Sequence, residues 1–286
     1  MHTTLLNKYS GAGNDFIVID GRTADVSAYR QESLIQELCD RKTGFLAADG
    51  RIGADGLMIL SEEKGYDFRM EYFNSDGSGG MMCGNGGRCI AAFADSLGIV
   101  PEKGNVLRFV ASDGEHTAEI LPCSLTPKGN GRIWTIKLRM IDVHTFHPAL
   151  DGYFLDTGTR HFVRHVEDVE KVDIEVEGKA ARMDPAFAPI GANANFVSPW
   201  KDGSLKIRTF EKGVEAETLA CGTGITASAI ASYLKGIPPT SQREGILHYD
   251  LQARTDMLSV DFRPSLDEGE LFFTEVYLTG PAEEIL

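Results

Sequence analysis

The chain has 286 residues, of which 42% are hydrophobic, and a formal net charge of −14. It can therefore bury a sizeable core, as one domain or two. The acidity and the lack of a basic patch argue against nucleic acid or an anionic membrane as partner, and no run approaches the ~18 apolar residues of a membrane span.

The opening Met1–Lys8 stretch lacks the charged and apolar blocks of a signal peptide, so a soluble cytoplasmic protein is expected. Next, Gly11-Ala12-Gly13-Asn14-Asp15-Phe16-Ile17-Val18 leads into a strand-like run. A helix is predicted over Ser33 to Asp40, with Leu34, Ile35 and Leu38 inward. Alternation predicts a strand over Phe68–Phe73, ten residues before Cys83. Cys83-Gly84-Asn85-Gly86 then opens a helix whose apolar face is Ile90, Ala91, Phe93, Ala94 and Leu97. Gly98, 15 residues past Cys83, reads as its C′ residue. Residues 106–121 and 133–138 are β-rich, and the turn-rich 127–131 stretch marks a domain boundary.

The second half repeats this order. Gly158-Thr159-Arg160-His161-Phe162-Val163 is a looser counterpart of the GAGNDF stretch, and Leu205–Phe210 is a strand ending eleven residues before Cys221. Cys221-Gly222-Thr223-Gly224 opens a helix with Ile225, Ala229, Ile230, Tyr233 and Leu234 inward, ending at Gly236, again 15 residues on. The β-rich 246–262 and 272–278 segments close the half. Self-similarity at this period indicates a duplicated domain, each copy a curved, mostly antiparallel sheet around one main helix: an α/β (α+β) architecture. The halves are assigned as 1–128, completed by a C-terminal strand at 274–286, and 129–273.

Five cysteines, at 39, 83, 89, 123 and 221, make an odd number that suits reduced thiols better than a disulfide framework. No metal is expected, because Cys83 and Cys89 lack CxxC spacing and no histidine adjoins either CGxG stretch. Cys39, Cys89 and Cys123 read as packing residues. Cys83 and Cys221 differ from them. A thiol at a helix N-terminus sits among unpaired N–H groups and the positive end of the macrodipole, which lowers its pKa from about 8.5 toward roughly 3.5–7.5. One such thiolate can remove a hydrogen from a carbon beside a carboxylate while a second thiol delivers one to the opposite face. The same N–H groups can hold the carboxylate as it gains enolate character. The competing readings are two buried cap cysteines joined by chance to glycines, or a disulfide between the halves; the duplicated context weighs against the first and a reducing compartment against the second.

Amides and acids cluster around both stretches: Asn14, Asp15, Asn74, Asp76, Asn85, Asn193, Asn195, Glu211 and Glu217. Asp15, Asp76 and Asn195 read first as turn residues. The remainder suits an amino-acid ligand, with Glu211 a partner for an ammonium.

Taken together, GAGNDF (11–16), IGADGL (52–57), FNSDGS (73–78), CGNGGR (83–88), GANANFV (191–197), the 211–224 segment and LTGP (278–281) resemble the pyridoxal-phosphate-independent diaminopimelate epimerases over nearly the whole chain. The resemblance implies two similar domains with the active site in the cleft between them. It further implies conversion of LL-diaminopimelate to the meso form for lysine and peptidoglycan synthesis, no cofactor, and a homodimer. It makes Cys83 and Cys221 the catalytic thiols. Asn14, Gly84, Asn85, Gly222 and Thr223 would hold the reacting end of the substrate, and Asn74, Asn193, Glu211 and Lys212 the distal end.

Four features depart from that pattern. Lys212 stands where the family usually has arginine, and an ammonium lacks the bidentate fork. Thr159-Arg160-His161 replaces an Asn-Pro-His or Ser-Pro-His segment; Arg160 reads first as a solvent-facing arginine and second as a candidate to restore the guanidinium. The Glu211–Cys221 stretch is one residue longer than in some members, and Phe45–Arg51 looks inserted. Three rivals are weighed. A proline racemase or hydroxyproline epimerase typically carries histidine where this chain has Asn85, another branch of the superfamily lacks the cysteine pair, and a silent amino-acid-binding module would not need both thiols.

Overall fold

A computed structural model describes residues 6–80, 82–102, 104–121, 126–128 and 131–285. They form two compact units, 1–138 with 280–286, and 139–279. The division falls at Leu138/Arg139, not at the 128/129 boundary read from sequence. The turn-rich 127–131 stretch proves instead to join two paired strands of the first unit.

The first unit runs β1 (Leu6–Gly11), β2 (Asn14–Asp20), α1 (Glu32–Cys39), β3 (Gly56–Ser61), β4 (Phe68–Asn74), α2 (Gly84–Ser96), β5 (Val106–Ala111), β6 (Gly114–Ile120), β7 (Thr126–Lys128) and β8 (Gly131–Arg139). The second contains β9 (Phe146–Ala149), β10 (Gly152–Asp156), β11 (Arg160–His165), α3 (Lys179–Arg182), β12 (Asn193–Pro199), β13 (Leu205–Glu211), β14 (Ala216–Thr218), α4 (Gly222–Leu234), β15 (Ser241–Arg243), β16 (Ile246–Gln252), β17 (Met257–Asp267) and the first ten residues of β18 (Glu270–Ile285). The last residues of β18 belong to the first unit.

The duplication is written in the strand pairing. In the first unit β1–β2 is antiparallel, β2–β3 parallel, β3–β4 antiparallel, β4–β5 parallel, and β5–β6 and β6–β8 antiparallel. In the second, β10–β11, β11–β12, β12–β13, β13–β16, β16–β17 and β17–β18 follow the same alternation. The first sheet closes into a barrel because the end of β18 pairs with both β8 and β1.

Each sheet wraps around its long helix. Every residue of α2 from Gly84 to Ala94 is buried, and α4 is buried almost all round. Small residues recur in both helices, and α2 also buries the polar Asn85 and Arg88. Two buried hydroxyls of α4 are satisfied within the helix: Thr226 donates to the Gly222 carbonyl at 3.0 Å and Ser232 to the Ser228 carbonyl at 2.8 Å. Gly98 (φ 74°) and Gly236 (φ 81°) terminate the helices in the left-handed conformation predicted for them.

Strands next to the helices are covered on both faces, so β2, β3 and β12 are buried along nearly their whole length instead of on alternate residues. Outside β2 and β3 packs α1, whose Ile35 and Cys39 join Ile17, Ile19, Leu57 and Ile59 in a core; Leu34 and Leu38 are half-buried. Outside the second sheet, Val169, Val172, Ile174 and Phe187 cover Phe154, Phe162, Phe196 and Phe210. The Phe45–Arg51 segment is a small closed turn: Leu46 bridges Ile52, Ala47 donates to the Arg51 carbonyl at 3.0 Å, and Gly50 takes φ 91°.

Candidate active site

Each cysteine of the CGxG pair is the N-cap of a 13-residue helix, in extended backbone conformation just before the first helical residue. The caps differ. The Cys83 sulfur accepts the Gly86 N–H at 3.2 Å, whereas Cys221 makes no cap bond and its sulfur lies 3.5 Å from the Thr223 hydroxyl. Cys83 is half-buried and Cys221 buried; both are thiols, as are the buried Cys39 and Cys89. Burial raises the Cys39 pKa to about 11 and pushes Cys89 higher still, which suits packing residues and not acid/base groups. Cys123 lies outside the described residues.

The second glycine of each motif has a steric cause. A Cβ on Gly224 would come within 2.5 Å of Asn195 Oδ1 and 3.2 Å of His161 Cε1, and one on Gly86 within 3.2 Å of the Cys83 sulfur. These glycines therefore admit neighbouring polar groups of the chain itself, in addition to any ligand.

Two residues past each thiol, the same wiring recurs. In the first unit Asn85 donates to Asn14 Oδ1 at 2.6 Å, and Asn14 donates to Asp55 Oδ2 at 2.8 Å. In the second, Thr223 Oγ1 lies 2.9 Å from His161 Nε2, and Asn195 Nδ2 lies 3.0 Å from His161 Nδ1. Asn14 and His161 each stand three residues after a glycine, Gly11 and Gly158, at the start of β2 and β11. Their third partners come from the segment that pairs in parallel: Phe16 faces Gly56, next to Asp55, and His161 faces Asn193.

The amide orientations in the first unit are fixed from both ends. A carboxylate can only accept, so Asn14 must turn its NH₂ to Asp55; a guanidinium can only donate, so Asn85 must turn its oxygen to Arg88 at 2.9 Å. Arg88 is fully buried and also donates to the Gly84 carbonyl at 3.1 Å, below the thiol. Asp55 is held in turn by Arg41 and by the Asp15 N–H. Asp15 is not the turn residue expected: it is buried in β2 and pairs with Lys8 at 2.7 Å and Arg41 at 2.6 Å, with Lys8 itself buried. Asp76, by contrast, does close a turn, accepting the Ser78 N–H and hydroxyl.

In the second unit His161 is buried and its pKa falls to about 3 through loss of solvent, so the ring is neutral. Sequence reasoning placed His161 in the counterpart of the GAGNDF stretch and in a departing segment but gave it no role, and read Asn195 as a turn residue; Asn195 is fully buried in β12. The signal that points to His161 is its position three residues after Gly158, the place of Asn14 in the repeat.

Asn193 is buried, donates to the Arg160 carbonyl at 3.2 Å and accepts the Lys212 N–H at 2.8 Å. Lys212 is exposed, with its ammonium 3.5 Å from the Ile190 carbonyl. Glu211 is half-buried at the end of β13, and Arg160 is half-buried at the start of β11. Asn74 ends β4, donating to the Ser78 hydroxyl at 3.0 Å. Glu217 is held by a two-point pair with Arg208 at 2.7 Å. Between Glu211 and Cys221 the chain makes a turn in which Glu215 (φ 56°) accepts from both the Gly213 N–H and Arg182. Among the described residues no three acidic, histidine or cysteine groups converge as a metal site, and no helix is long and apolar enough to cross a membrane.

Comparison with known proteins gives the lineage. The diaminopimelate epimerase family matches residues 6–121 and 153–244. The curated diaminopimelate epimerase of Flavobacterium psychrophilum is 38% identical over 279 residues, covering 97% of this chain and 96% of its own. The chain belongs to the diaminopimelate epimerase family. A second member of that family, from Aquifex aeolicus, is 38% identical over 292 residues, covering 97% of this chain and 94% of its own. Among solved structures, a phenazine biosynthesis protein of the PhzF family from Bacillus anthracis superposes with a TM-score of 0.68 at 13% identity, covering 98% of this chain and 96% of its own. A probable proline racemase from Agrobacterium radiobacter does so with 0.61 at 14% identity, covering 97% and 89%. These two share the fold.

Proposed function

We propose that this chain converts LL-diaminopimelate to the meso form without a cofactor, with Cys83 and Cys221 as its two acid/base groups. The observation that supports it is the repeated wiring: a cysteine N-cap, a polar residue two positions on, and a third polar residue steadying it, in a member of the diaminopimelate epimerase family.

In the reaction, one thiolate takes the α-proton, so that an S–H bond forms as the C–H bond breaks and the electron pair moves into the carboxylate. The second thiol then gives its proton to the opposite face of the carbon, and the two sulfurs end with their protonation states exchanged. Each transfer is worth about 10²–10⁴ in rate. The N–H groups of Gly84 and Asn85, and of Gly222 and Thr223, lie in the first turns of α2 and α4, at the positive ends of the helix dipoles; they suit a carboxylate gaining negative charge. Asn14 and Asn85, with their amides fixed, grip the reacting end. Asn74, Asn193, Glu211 and Lys212 serve the distal amino-acid end, where Lys212 offers a point charge in place of a guanidinium fork. Asn85, where proline racemases typically carry histidine, favours the longer diaminopimelate-type ligand.

The cytoplasmic location rests on the odd count of reduced cysteines, and the homodimer on the family resemblance alone; sedimentation of the purified chain tests the latter. The test of the reaction is incubation of LL-diaminopimelate with the reduced protein in deuterated water. Deuterium at the α-carbon and appearance of the meso isomer are expected, and absence of both from folded, reduced protein would sink the assignment.

A further inference from the structure

The side chain of Asn195 is fully buried and makes contacts that leave its amide one orientation. Its nitrogen lies 3.0 Å from the Phe162 carbonyl, an acceptor only, and its oxygen receives the Thr209 hydroxyl at 3.0 Å. Reversing the amide would set oxygen against the Phe162 carbonyl and leave a buried acceptor pair facing each other. The amide nitrogen therefore also faces His161 Nδ1, at 3.0 Å, with an N–H. In a neutral imidazole a nitrogen that meets a donor must carry the lone pair, so the ring proton sits on Nε2.

On the Nε2 side stand two hydroxyls, Thr159 and Thr223, each at 2.9 Å. The Asn193 amide nitrogen is also 3.5 Å from Nε2, but that group is directed to the Arg160 carbonyl at 3.2 Å, and its reach to the ring is the longest of the set. Nε2–H donating to a threonine hydroxyl satisfies every group at once. Thr223 Oγ1 also lies 3.0 Å from Thr159 Oγ1; with Thr159 donating to it, Thr223 accepts from both neighbours and directs its own O–H at the Cys221 sulfur 3.5 Å away.

We infer that Asn195, set by Thr209, locks His161 as its Nε2–H tautomer, so that donors run in one direction from Thr209 through Asn195, His161 and Thr223 to the Cys221 sulfur. Asn195 is thus a positioning residue, acting through His161 and Thr223; the inference rests on reading Cys221 as a reacting thiol. Burial, which keeps the ring neutral, and Gly224, whose missing Cβ leaves room for the amide, are both requirements of the arrangement.

The experiment is nitrogen NMR of the full chain labelled at histidine, reduced, near neutral pH, with the His161 signals assigned by their loss in His161→Gln. A pyridine-like Nδ1 and a pyrrole-like Nε2 are expected in the unsubstituted protein; the opposite pattern overturns the lock whatever the enzyme's activity. Asn195→Asp replaces the donor by an acceptor and should move the proton to Nδ1. With it, kcat for diaminopimelate should fall about tenfold or more while KM stays within about threefold, because the chain to Cys221 is reversed but substrate contacts are not. Asn195→Asp that keeps the Nε2–H pattern, or that changes the tautomer with kcat unaltered, overturns the positioning role. Failure of the epimerase reading would show separately, as no isomerisation by the unsubstituted protein.

Discussion

Asp55 accepts the side-chain N–H of Asn14 at 2.8 Å, and that contact decides which face Asn14 shows to Asn85. Asp55→Asn removes the compulsion, since an amide can present either atom. A hydrogen bond to a charged group is worth about 1.5–3 kcal/mol, so KM for diaminopimelate should rise about tenfold with a smaller loss in kcat. Steady-state kinetics on the folded variant check this; an unaltered KM would detach Asp55 from substrate binding.

Gly224 and Gly98 should respond differently to alanine. At Gly224 the new methyl meets Asn195 at 2.5 Å, so overpacking should cost about 1–3 kcal/mol and displace the His161 network, with activity lost. At Gly98 the space is open and the only penalty is φ 74°, about 1 kcal/mol, with activity kept. Urea unfolding alongside turnover separates the two.

The unequal caps give a third expectation. Cys83→Ala loses the bond to Gly86 N–H and should destabilise the protein by about 1 kcal/mol, whereas Cys221→Ala, with no cap bond to lose, should not suffer this loss. Serine at 83 restores an acceptor and should recover the stability. All three variants should fail to produce meso-diaminopimelate, and substantial turnover by any of them would remove that thiol from the reaction.

Acid should weaken the fold through buried histidine. The His161 pKa drops from its ordinary 6.5 to about 3, and that of His165 to about 4, so the folded state favours their neutral forms. That contribution is whole above pH 6.5 and is lost as pH falls toward the folded values, by about 1.4 kcal/mol per pH unit for each ring. His248 behaves oppositely: its bond to Asp261 raises its pKa, so its contribution is present at low pH and fades as pH rises through the folded value. Denaturant midpoints from pH 7 to 4 should therefore fall, and more gently in His161→Gln.

What could be read from the sequence was what is local. Helix α2 and its terminating glycine follow from spacing around Cys83, and β4 and β13 from alternation over six or seven residues. The repeat placed the two thiols in equivalent positions. Asp15 and Asn195 were misread because short polar side chains favour turns, and only strand pairing shows otherwise: Asn195 reaches His161 across 34 residues, and Asp15 reaches Arg41 across 26. Arg88 gave no local sign of being buried; its acceptors include the Pro281 carbonyl, 193 residues away.

Strand β18 imposes an order on assembly. Ala282 and Glu283, facing Trp134 and Ile133 of β8, come after the whole of the second unit in the chain, yet they seal the barrel whose other strands all lie before residue 140. During synthesis the N-terminal barrel must wait, open along β1 and β8, until everything belonging to its twin has been made. Removing β18 beyond Thr279 would injure the half of the molecule farthest from it in the chain.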